Sequence, residues 1–109
     1  MITYIIAKQY TEIPGPRFKK EGEFSGEDFR ETVLKALVCQ AKQENTMILI
    51  DLDGGYGYPT SFLEEAFGGL VRELKDKELY KIFEFKSDEE PMLIGEIKRY
   101  LQEATEKLK

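Results

Sequence analysis

The stretch MILIDLDGGYGYPTSFLEEAFGGLVREL, Met47 to Leu74, holds a strand, a turn and a helix in one run. Met47 to Leu52 is continuously apolar up to Asp51, the pattern of a central strand covered on both faces. Gly54, Gly55, Tyr56, Gly57, Tyr58 and Pro59 then interrupt it. Beyond them Phe62, Leu63, Ala66, Phe67, Leu70, Val71 and Leu74 recur at helical spacing and give one apolar helix face. A strand handed to a helix through a glycine-rich loop is half of a parallel β-α-β unit. The flanking sequence supplies the rest.

Upstream, Ile2 to Lys8 is rich in Ile, Thr and Tyr and reads as a first strand. The segment from Glu12 to Phe24 is punctuated by Pro14, Gly15, Pro16 and Gly22 and leaves room for at most a short strand at Arg17 to Lys20. From Ser25 the period changes: Phe29, Val33, Leu34, Leu37, Val38 and Ala41 make the stripe of a helix reaching about Glu44. Downstream, Leu79 to Phe85 alternates towards a further strand, and Leu93, Ile94, Ile97, Tyr100, Leu101, Ala104 and Leu108 define a last helix. The order β-(β)-α-β-α-β-α predicts an α/β fold with helices packed on a mixed or largely parallel sheet, joined by right-handed crossovers. At 109 residues this amounts to one domain, 1–109.

Sixteen basic against 21 acidic residues give a formal charge of -5, which disfavours nucleic acid and anionic lipid as partners. The one basic cluster, Arg17 to Lys20, is short, is followed by Glu21 and Glu23, and reads as a solvated loop or strand edge. Cys39 is the single cysteine and there is no histidine, so neither an intramolecular disulfide nor a zinc site is expected. The start, MITYIIAKQY, is apolar for too few residues to be a signal-peptide core or a membrane span, and a cytoplasmic address is the default expectation.

Each helix is preceded by a serine with an acidic residue three positions on: Ser25 with Asp28, Ser61 with Glu64, Ser87 with Glu90. The pattern predicts three N-caps, of capping-box type where the acid is glutamate. Thr60 is then left over, one residue before a cap and beyond the carboxyl end of a strand, where α/β folds tend to bind ligands and phosphates; a turn residue beside Pro59 is the plain alternative. Gly68 and Gly69 inside the second helix each cost about 1 kcal/mol relative to alanine. Something approaches that helix closely, either a neighbouring element of the same fold or a partner's surface.

The strand ending in Asp51-Leu52-Asp53-Gly54 resembles the nucleophile motif of haloacid dehalogenase-like phosphatases. That chemistry needs a Ser or Thr, a Lys and further acids on later strands. Asp88, Glu89 and Glu90 follow the last strand within one cap-like segment, Gly55 stands where the motif usually has a hydroxyl, and the chain after Asp51 is short for a full doubly wound sheet. Gly55-x-Gly57 lacks the third glycine of a dinucleotide fingerprint and the Gly-Lys-Ser/Thr of a phosphate-binding loop. No cofactor or metal is implied.

Taken whole, IDLDGGYGYPTSFLEEAFGGLVRE, preceded by GPRFKKEGEFSGEDFRETVL, resembles the STAS-like family of small bacterial domains. The resemblance implies a STAS-like domain related to anti-sigma factor antagonists, in which a strand leads to two hydroxyls at a helix start. It further implies a partner, a serine/threonine kinase of the histidine-kinase-like ATPase class, which phosphorylates the first hydroxyl and is thereby released. Matched residue by residue, Thr60 takes the place of the phospho-acceptor and Ser61 that of the following hydroxyl. Pro59 and Phe62 stand where the antagonists carry aspartate and glycine. The resemblance thus implies a regulatory protein-protein contact made by Asp53, Gly55, Tyr56, Tyr58, Phe62, Glu65, Gly68 and Gly69, without catalysis by this chain. The alternative is a small-ligand or phosphate binder, or a Mg-dependent phosphatase-like enzyme, using Asp51 and Asp53.

Overall fold

The apolar run at the centre of the sequence forms β2, Ile48–Asp51, the middle strand of a sheet whose neighbours are β1, Ile2–Ile5, and β3, Phe83–Lys86. All pairings are parallel, as the alternation of strands and helices predicts, and the protein is an α/β fold. The structure is a computed structural model and describes residues 1–108. Three helices complete it: α1 (residues 26–44), α2 (residues 60–74) and α3 (Met92–Glu106).

The register places Ile2, Ile48 and Phe83 abreast, and Tyr4, Ile50 and Phe85 abreast. This face meets the helices. Ile48 and Ile50 are fully buried, and the rings of Phe29, Phe62 and Phe67 extend the core from the helix side, with Phe67 5.9 Å from Phe83 and 5.5 Å from Phe85. The opposite face, carrying Thr3, Ile5, Leu49, Asp51, Glu84 and Lys86, alternates between half-buried and exposed. The expectation of a central strand covered on both faces is therefore corrected. The run ILI has no polar residue to mark its outward position, so Leu49 reads as core when it is not.

Three boundaries also differ. β1 ends at Ile5, because Ile6 turns into the core as the first residue of a helical turn, Ile6–Gln9. Arg17 to Lys20 forms no strand; Lys19–Glu21 is a single 3-10 turn, tied to α1 by the Lys19 N–H donating to Glu27 Oε1 at 2.9 Å. The last strand starts only at Phe83, after a 3-10 turn Leu79–Ile82 whose first residue is fully buried.

Of the predicted caps, Ser25 forms: its Oγ accepts the Asp28 N–H at 2.9 Å. The other two do not. α2 begins at Thr60 with Pro59 as its extended cap residue, so Ser61 already lies inside the first turn, and Glu64 binds Arg17 and Arg72 instead of reaching back. Ser87 is buried and donates its hydroxyl to the Glu90 carbonyl at 2.6 Å, in the turn before α3.

Both α1 and α2 contain one wide, π-type turn, at Arg30–Leu34 and Glu64–Gly68, and these turns pack on each other. The pair Arg30–Glu65 joins them, with Glu73 accepting from Arg30 Nε at 3.0 Å. A Cβ on Gly69 would lie 2.8 Å from the Arg30 guanidinium, and one on Gly68 would enter the Glu64–Arg72 pair. The close approach that the glycines signalled comes from side chains of the same fold.

Candidate functional site

Past Asp51 the chain leaves the sheet and needs eight residues to reach α2. Gly54 and Gly57 take φ values of 95° and 114°, a region that disfavours side chains. Two bonds shape the loop from within: Asp51 Oδ1 accepts the Asp53 N–H at 3.0 Å, and the Tyr58 hydroxyl donates to the Leu52 carbonyl at 3.1 Å. Two more tie it to other segments. The Tyr56 N–H donates to the Glu12 carbonyl at 2.9 Å, and the Gly54 N–H donates to Glu89 Oε1 at 2.7 Å.

Asp53 is the knot. Its carboxylate accepts the Glu89 N–H at 2.9 Å, the Asp88 N–H at 3.1 Å and the Lys86 ammonium at 2.9 Å. The Asp53 carboxylate takes the Glu89 N–H and the Glu89 carboxylate takes the Gly54 N–H, and together they latch the loop after β2 to the loop after β3. The Glu89 N–H, and then the Lys86 charge, hold the Asp53 carboxyl down at about 2, well below the ordinary aspartate value. The same contact, with help from Asp88, raises the Lys86 ammonium. Asp51 lies 3.9 Å from Lys86 and has one oxygen committed to the Asp53 N–H. As placed, both aspartates serve the loop. Among the described residues no three of His, Cys, Asp and Glu converge to hold a metal ion.

The remaining predicted residues separate by burial. Phe62 is fully buried against Phe29, 5.6 Å between ring centres, and the half-buried Tyr58 ring lies 6.2 Å from it. Burial pushes the Tyr58 hydroxyl up. Glu65 is taken by Arg30 and, at 3.3 Å, by Arg17, while Gly69 is buried against the Arg30–Glu65 pair and Gly68 against Glu64 and Arg72. Gly55 is half-buried, and a Cβ there would sit 3.0 Å from the Glu12 carbonyl. Tyr56 stands out from the loop at 81% exposure. Thr60 is exposed and Ser61 half-exposed in the first turn of α2, and neither hydroxyl bonds to another described residue.

The structure thus brings Tyr56, on a loop fixed by Asp53, and Thr60, in the turn that follows it, to the surface, leaves Ser61 half-exposed, and turns Phe62, Gly68 and Gly69 inward. Sequence reasoning missed the partners of the latch, Lys86 and Glu89. The acidic run after β3 was visible in the sequence, but the distance of 36 residues between Asp53 and Glu89 hid the connection.

A family model described as a STAS-like domain of unknown function (DUF4325) matches residues 25–92, more than half of the chain. The chain belongs to this STAS-like family. The matched region of the STAS-like domain begins at the Ser25 cap, contains the loop and α2, and ends as α3 begins. No curated protein and no solved structure matches the chain. No helix of the described residues is long and apolar enough to cross a membrane.

Proposed function

We propose that this STAS-like domain is a regulatory protein-protein interaction module of the anti-sigma factor antagonist type. It docks through residues 53–59 and the first turn of α2, and phosphorylation at Thr60 switches the contact. The observation that carries this reading is the exposed Thr60 hydroxyl, with no partner among the described residues, at a helix start that follows a loop tied down by Asp53 and bearing the exposed Tyr56. A rigid loop presents an aromatic anchor at little entropic cost, which favours docking.

The partner that the family likeness supports is a serine/threonine kinase of the histidine-kinase-like ATPase class. In the transfer the Thr60 hydroxyl takes the γ-phosphoryl group of ATP, yields its proton to the kinase and releases ADP. The resulting phosphate sits at the positive end of α2, so this domain tolerates it. A partner seated on the same turn meets its bulk and two negative charges. Ser61, one residue on and less exposed, is the second acceptor.

The test is affinity capture from the native host of the tagged wild type and of Thr60→Glu, followed by ATP incubation of the recovered complex and phosphosite mapping. Retention of an ATPase-class kinase by the wild type, its loss with Thr60→Glu, and phosphate on Thr60 are expected. If Thr60→Glu retains the kinase as the wild type does, or if no kinase of this class is captured, the reading is wrong.

A further inference from the structure

The two edges of the sheet are finished differently. In a parallel ladder, alternate residues point their N–H and C=O groups to opposite sides. The Leu52 N–H donates to the Lys86 carbonyl at 2.8 Å, so Lys86 and Glu84 face β2 with their backbone, and Phe83 and Phe85 face outward. The Phe83 N–H is used by the Tyr80 carbonyl. The Phe83 carbonyl and both backbone groups of Phe85 remain on the outer edge, beside a groove of about 660 Å³ walled by Phe83, Phe85, Leu101 and Thr105. On β1 the Ile2 N–H donates to the Met47 carbonyl, so Thr3 and Ile5 face outward; the Ile5 N–H is closed by Gln9 Oε1 at 2.7 Å, and Thr3 keeps its outward groups.

An open edge next to an apolar groove invites an added strand. The sequence of β3, Phe-Glu-Phe-Lys, identifies that strand. We infer that β3 pairs antiparallel with β3 of a second copy of this chain, centred on Phe85, to make a two-fold dimer with one continuous sheet. In this register Phe85 faces Phe85 across the axis on the helix side, and each Glu84 lies opposite the other copy's Lys86 on the open face. Sliding by one residue on each chain sets Glu84 against Glu84 or Lys86 against Lys86, which is unfavourable for residues directly opposed. The charge pattern therefore favours this register, with each Lys86 shared between the other copy's Glu84 and its own Asp53 and Asp88. This contact lies on the β3 edge and meets the docking loop at the Lys86–Asp53 pair, but it does not rest on the docking reading.

Sedimentation equilibrium of the wild type is expected to return the mass of a dimer. Glu84→Lys opposes lysine to Lys86 at both ends of the pair and weakens association about tenfold or more. Lys86→Glu alone does the same, and an equimolar mixture of the two variants recovers a dimer, since every opposed pair again has unlike charges. Because Lys86 also binds Asp53, a second measurement avoids it. Cysteine introduced by Phe85→Cys in a Cys39→Ser background cross-links the copies on oxidation, the Cα separation of roughly 5.5 Å in such a pair lying within disulfide reach. A wild type that stays monomeric at every soluble concentration, or a Glu84→Lys protein as dimeric as the wild type, overturns the inference.

Discussion

Gly26 sits where α1 crosses α2, and a Cβ built there would lie 2.5 Å from the Phe62 carbonyl and 3.1 Å from its Cα. These are backbone atoms of a fully buried residue and cannot step aside. Gly26→Ala is expected to destabilise the fold by about 2 kcal/mol in urea titration, because overpacking here outweighs the gain in helix propensity. Gly68→Ala meets only the ends of Glu64 and Arg72, which can swing outward, and is expected to stay within about 1 kcal/mol of the wild type. The sequence marked Gly68 and Gly69 as conspicuous because they interrupt a helical stripe. Gly26 drew no notice, since a glycine after a cap serine looks like a helix start.

At the level of elements, the strand and helix order was legible because each apolar stripe is local, whereas helix starts depend on contacts from far along the chain. Ser25, Ser61 and Ser87 look alike in the sequence. They differ in what competes for the glutamate or aspartate three residues on: Arg17, 47 residues upstream, takes Glu64 at 2.7 Å, and Pro59 begins α2 one residue early. Ser25→Ala is accordingly expected to cost about 1 kcal/mol in thermal unfolding, and Ser61→Ala close to nothing. Equal losses for the two would restore Ser61 as a cap. The candidate site was legible to the same degree: Tyr56 and Thr60 were recognisable from their place after β2, and the latch through Lys86 and Glu89 was not, because it spans a whole helix.

Across the whole molecule, two carboxylates tie separate segments together. Asp53 joins the loops after β2 and β3, and Glu64 joins the Arg17 segment to α2. Backbone N–H groups and Lys86 lower Asp53 from 3.8 to about 2, and Arg72 and Arg17 lower Glu64 from 4.5 to about 2. A folded carboxyl more acidic than its unfolded form stabilises above the unfolded value and loses that contribution as pH falls towards the folded one. Stability is expected to fall between about pH 4.5 and pH 2, and less steeply in Asp53→Asn and Glu64→Gln, as measured by urea midpoints across that range. Unchanged slopes in both variants would place the acid sensitivity elsewhere.

The Gln9 side chain on the outward N–H of Ile5 acquires a larger meaning once two copies share a sheet. Both outer margins of the joined sheet are then β1, and on each an amide from the next helical turn covers the Ile5 N–H, leaving the short stretch at Thr3. A further strand would find a ladder broken at Ile5, so the one capped N–H shortens the margin open to growth and favours an assembly that stops at two.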